Sequence, residues 1–133
     1  MDKLEYIPGD FISVYVGVKK YIVEVIGTEN ENEVLLYQIK FPNGEIQYAD
    51  KDNIVPIPLT PEILEKNGWK NDGYDWYKLP TKRAYLYITK DIITLGEFLV
   101  CVGLDRHNLA SINFVHQLQH LLFGLGINHE MEV

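Results

Sequence analysis

His116 and His120 stand four residues apart in the stretch VHQLQHLLFGLGINH, residues 115–129. On a helix that spacing puts both imidazoles on one face, one turn apart, where they could share a zinc ion. The hydrolytic form of this pattern is H-E-x-x-H, whose glutamate takes the proton of a metal-bound water. Gln117 holds the glutamate's place. An amide cannot accept that proton, so hydrolysis fails even if a metal binds. The longer pattern adds a glycine three residues on and a third histidine three beyond. Phe123 and Gly126 stand there instead. His129, His107 or a carboxylate could complete a ligand set, but the polar side of an amphipathic helix is the plainer reading. A metal-dependent hydrolase using His116 and His120 therefore ranks third among the functions considered. The chain is expected to hold no metal and no cofactor.

Other catalytic templates are missing from the sequence. It has no glycine-rich phosphate loop, no G-x-S-x-G elbow and no carboxylate pair at glycosidase spacing. Asp72 and Asp75 flank a turn, and turn chemistry accounts for them. Cys101 is the one cysteine, so no internal disulfide framework exists, and it reads as a small buried hydrophobe rather than a nucleophile.

Aromatic residues gather at Trp69, Tyr74, Trp76, Tyr77, Tyr85 and Tyr87. Most read as sheet core and cross-strand packing. Strand alternation must still turn either Trp76 or Tyr77 away from the core. The candidate partner-binding residues are Trp76, Tyr77, His116, Gln117 and His120, and no residue is assigned a catalytic role.

Those residues need a frame. With 133 residues the chain can form one compact domain or two very small ones. Strict alternation in FISVYVGV and KYIVEVIG, with GVKK between them, predicts a hairpin. TENENE reads as an exposed loop, VLLYQIKF as a third strand, PNG as a turn, EIQYA as a fourth strand and NIVPI as a short fifth. Five short antiparallel strands of this kind are expected to curl into an SH3-like barrel over residues 1–58. A plain five-stranded meander packed against the second half is the alternative.

Residues 59–133 are expected to form a small α+β unit packed on the barrel. Thr60 is a helix N-cap, Pro61 suits the first helical position, and Gly68 suits the position after the end. A hairpin follows around Asp72-Gly73, then strands in RAYLYITK and EFLVCVG, giving three to four antiparallel strands. The last helix is predicted from Ala110 or Ser111 to Gly124 or Gly126. Phe114, Val115, Leu118, Leu121, Leu122 and Leu125 form its apolar arc, with Asn113, His116, Gln117 and His120 opposite. Residues 110–125 hold no Lys and no Glu. A solvated helix face usually carries them. The polar arc is therefore expected to be covered by the barrel, by a second copy or by a partner.

The net charge is −7. Nucleic-acid binding usually leaves a basic footprint, and the largest basic groupings here are only Lys19-Lys20 and Lys82-Arg83. No apolar run reaches the roughly 20 residues of a membrane-spanning helix. The start MDKLEYIPGD lacks the pattern of a secretory signal. A cytoplasmic protein that does not engage membrane is the expectation.

The segments PIPLTPEILEKNGW and INFVHQLQHLLFGLG resemble a group of small uncharacterised proteins from phages, prophages and mobile elements of Bacteroides-type bacteria. The resemblance covers most of the chain and is strongest in those two segments. Similar proteins often carry Asn at the place of His120, which argues against a shared two-histidine metal site. The resemblance implies an accessory or host-interaction role and brings no activity with it. The first expectation is a non-enzymatic protein that binds a protein partner or itself. The alternative is a nucleic-acid-binding accessory protein using the barrel loops and exposed aromatics.

Overall fold

A computed structural model describes residues 5–71, 76–79, 86–90, 97–103 and 106–133. The expected turn at Asp72-Gly73, together with Tyr74, Asp75, Lys82, Arg83 and Tyr85, lies outside the described residues. Two five-stranded antiparallel sheets and two α-helices make up the described chain. It is an α+β, mostly β protein.

The N-terminal sheet contains β1 (Phe11–Val16), β2 (Lys19–Glu31), β3 (Val34–Lys40), β4 (Ile46–Ala49) and β5 (Ile54–Val55). Its strand order is β4-β3-β2-β1-β5. Among the described residues no β4–β5 pairing closes this sheet. The alternation read from sequence holds where the core needs it: Ile12, Val14, Val23 and Val25 are buried, while Val16 and Val18 at the hairpin tip are exposed.

TENENE departs from the loop expectation. β2 runs on through Glu31 and pairs with β3 as far as Glu31 opposite Val34. Asn32 and Glu33 make the reversal with φ of 50° and 66°. Positive φ at both central residues matches the right-handed twist of a two-residue hairpin. The outward charged side chains of this arm hid the strand from a reading based on hydrophobicity. A bulge between Val25 and Gly27 bends β2 midway along its length.

The linker after β5 leads into α1 (Pro61–Lys66). The Thr60 hydroxyl accepts the Ile63 N–H at 3.2 Å, and Pro61 occupies the first turn. At the other end Gly68, with φ of 89°, allows Trp69 N–H to donate to Leu64 C=O at 3.0 Å. This closure sets Trp69 beside the fully buried Leu64. Thr60→Ala is expected to lower stability by about 1 kcal/mol. An unchanged urea midpoint would show that the cap contributes nothing.

The C-terminal sheet has strand order β10-β9-β8-β7-β6. Its members are β6 (Lys70–Asn71), β7 (Trp76–Leu79), β8 (Leu86–Lys90), β9 (Phe98–Val102) and β10 (His107–Ile112). The last of these corrects the sequence reading, because residues 110–112 are strand and not helix. Asn-Leu-Ala-Ser-Ile fits either period, and pairing with β9 decides it. Helix α2 begins at Val115 and ends at Gly124. Phe114 therefore serves as its N-cap rather than as part of its stripe.

Two apolar cores result. One lies within the N-terminal sheet and includes Tyr6, Ile12, Val23, Tyr37 and Ile39. The other joins Leu64, Trp69, Ile88 and Val100 to Val115, Leu118 and Leu122 of α2, and takes in Met131 from the segment after the helix. α2 stands at the boundary. Its leucines enter the second core, and its opposite face meets the N-terminal sheet.

Candidate functional site

The five residues singled out from sequence fall in separate places. Gln117 is a capping residue: its Oε1 accepts the N–H of Asn113 at 2.7 Å and of Phe114 at 3.1 Å. Tyr77 is buried in the second core. Trp76, one residue earlier, turns to the opposite face of β7 and is half-buried. His116 and His120 lie together, at the seam between α2 and the N-terminal sheet.

The seam is built from α2's polar side. His116 is buried, His120 is half-buried, and their rings meet edge to face with centroids 5.6 Å apart. The ring of Tyr6 lies 4.9 Å from His116, and that of Phe114 stacks on it at 5.9 Å. His120 Nε2 stands 2.6 Å from Oδ2 of Asp10, which is itself buried. When Asp10 is ionised its oxygen can only accept, and Nε2 of His120 is then the donor. Asp10 Oδ2 also accepts the N–H of Ile7 at 2.9 Å. Gln119, fully buried, completes the joint. Its Oε1 accepts the Phe11 N–H at 2.9 Å, and its Nε2 donates to Gly9 C=O at 2.8 Å and to His129 C=O at 3.2 Å.

Burial controls the charges here. It pushes the His116 imidazole down to about 4, helped by the neighbouring His120. It also holds the Asp10 carboxyl above its ordinary value, against the opposing pull of the Ile7 N–H and His120. The Tyr6 hydroxyl is pushed up to about 12 by burial, with Glu5, Tyr37 and Asp10 adding to the effect. A carboxylate–imidazole pair can orient a general base. Among the described residues, however, no serine, threonine or cysteine side chain bonds to either imidazole. Nor does any group of three or more His, Cys, Asp or Glu among them stand close enough to hold a metal. The arrangement joins two parts of the fold.

A second cluster lies on the side of the C-terminal sheet away from its core, where Arg106 is exposed, Trp76 half-buried and Tyr87 buried. The Arg106 guanidinium lies 4.6 Å from the Trp76 ring centroid and 4.8 Å from that of Tyr87. The two rings meet edge to face at 6.2 Å. Register explains the meeting, because Trp76 pairs with Thr89 and Tyr87 pairs with Lys78, so both aromatics project from the same side. Cys101, opposite Tyr87 on β9, is buried, and burial raises its thiol while Arg106 pulls it down.

Sequence reasoning missed Asp10, Gln119 and Arg106. Arg106 carried no signal, because its positive φ of 53° is visible only in the backbone. Comparison with protein-family models, with curated proteins and with solved structures finds no match in any of the three.

Proposed function

We propose that this chain is a non-enzymatic accessory protein, and that the Trp76–Tyr87–Arg106 face docks a protein partner. The observation that carries the reading is the exposed Arg106 guanidinium held against the half-buried Trp76 and the buried Tyr87. Trp, Tyr and Arg are the residues most enriched among those that dominate binding energy. Holding them against one another before a partner arrives lowers the ordering cost of association. The resemblance to phage and mobile-element proteins of Bacteroides-type bacteria supports an accessory role in a bacterial cytoplasm.

The N-terminal sheet supports a finer reading of its own, as a partly curled SH3-like barrel. β1 pairs with β5 on one side and β2 on the other, and the bulge in β2 lets that long strand serve both halves. A second functional reading draws on the hairpin tip. Tyr15 is exposed and directly opposite Lys20, a pairing that could stack and neutralise a single-stranded nucleic acid. The net charge of −7 weighs against it.

The test compares variants on a partner captured from the host cell. Trp76→Ala and Arg106→Ala are each expected to weaken binding of that partner about tenfold or more. Tyr15→Ala should leave it unchanged, and all variants should keep the wild-type far-ultraviolet dichroism. Wild-type affinity in both Trp76→Ala and Arg106→Ala would end the proposal. A salt-sensitive gel shift lost in Tyr15→Ala would put the nucleic-acid reading in its place.

A further inference from the structure

The two apolar cores share no buried residue. What joins them is partly apolar, since Phe11 of β1 packs against the second core, and partly polar: the Gln119 bonds to Gly9 and Phe11, and the contact between His120 and Asp10. His116 sits in the middle of that joint. It is 4% exposed, and its Nδ1 has no hydrogen-bond partner among the described residues. We propose that the seam is an acid-operated latch: protonation of His116 releases the N-terminal sheet from α2 while both cores stay folded.

The surroundings of His116 offer little to a second proton. Phe114 and Tyr6 present rings, and His120 presents another imidazole on the same helix. Tyr6, with Tyr37 and Glu5 behind it, keeps its proton throughout the acid range. Asp10, the carboxylate bonded to His120, is already engaged by His120 and the Ile7 N–H and also influenced by His129. A charge on His116 is therefore poorly solvated when the seam is closed and well solvated when it is open.

The sign follows from the direction of each shift. His116 is held down to about 4 in the closed state, against 6.5 for a free imidazole. Its neutral form favours closure fully above about 6.5, and that contribution is lost as pH falls toward 4. Asp10 works in the opposite direction. Its carboxyl is raised, so its own titration favours closure in acid. Opening must come from His116. Because the two cores share no buried residue, and the seam between them holds Phe11 and the Tyr6–His116 ring contact beside its polar bonds, it can open without either sheet unfolding.

Amide hydrogen exchange of the full chain, corrected for intrinsic rates, tests this. The reporter is the Phe11 amide, which donates to Gln119. Between about pH 7 and about pH 5 its protection should fall about twentyfold, while amides in the middle of β2 and β9 keep theirs. His116→Phe, which cannot be protonated, should abolish that fall, and His116→Gln carries the comparison if the first variant does not fold. The proposal is overturned if Phe11 keeps its protection at about pH 5. It is overturned equally if β2 or β9 loses protection together with Phe11, or if the substituted chain behaves as the wild type.

Discussion

Leu118→Ala should lower the unfolding free energy by roughly 2–5 kcal/mol, the range for truncating a buried leucine. Leu118 is fully buried and lies in the second core with Val115 and Leu122 from its own helix. Across from it stand Ile88 and Val100 of the C-terminal sheet, also fully buried, which are held by their strand pairing and cannot collapse into the gap. Folded domains of this size are stable by only about 5–15 kcal/mol. The change should therefore appear as a large drop in the urea midpoint. A drop of under about 1 kcal/mol would mean that the helix packs elsewhere.

Gln119→Leu should be nearly as damaging, for the opposite reason. The replacement has a similar volume and leaves no gap. It removes one acceptor and two donors from a position with no exposed surface. The Phe11 N–H and the carbonyls of Gly9 and His129 each lose the partner that Gln119 gave them. A buried polar group left unsatisfied costs about 1–3 kcal/mol, and with three part-buried groups affected a total loss of at least about 3 kcal/mol is expected. Faster exchange at Phe11 should accompany it. A Gln119→Leu chain as stable as the wild type would show that water replaces the amide at the seam.

These two neighbours also mark how far the sequence could be read. Leu118 was legible because leucine at helical spacing has one ordinary explanation. Gln119 was not, because its partner Phe11 is 108 residues away and nothing local distinguishes a clamping glutamine from a solvated one. The covered polar arc could be inferred from the missing Lys and Glu. What covers it could not, since Asp10 lies 110 residues from His120. The first-half strands were legible wherever one face is buried. Reading failed at residues 28–31, where both faces of the hairpin arm are exposed and hydrophobic alternation has no work to do. It failed again at β10, where a register shift beside the exposed Leu109 breaks the alternation. Trp76 and Tyr77 could be assigned to opposite faces from their adjacency alone. Which of them faces out is set by the pairing of β7 with β8, which places Tyr77 opposite Ile88 in the core, and nothing local to the two residues shows it.

The placement of Met131 has a consequence for how the chain is made. The buried residues of the first core all lie between Tyr6 and Ile54. That core can close while the remainder is still being synthesised, in the N-terminal-first order usual on the ribosome. The second core cannot, because Met131 is buried in it beside residues as early as Ile57. The Asn67 carboxamide also holds both the N–H and the C=O of Glu132, at 2.7 and 2.8 Å. Until residue 131 is made, then, the first core can be complete while the second is not. In that interval Leu118, Leu122 and the strands they cover are exposed, and chaperones would find their binding sites there.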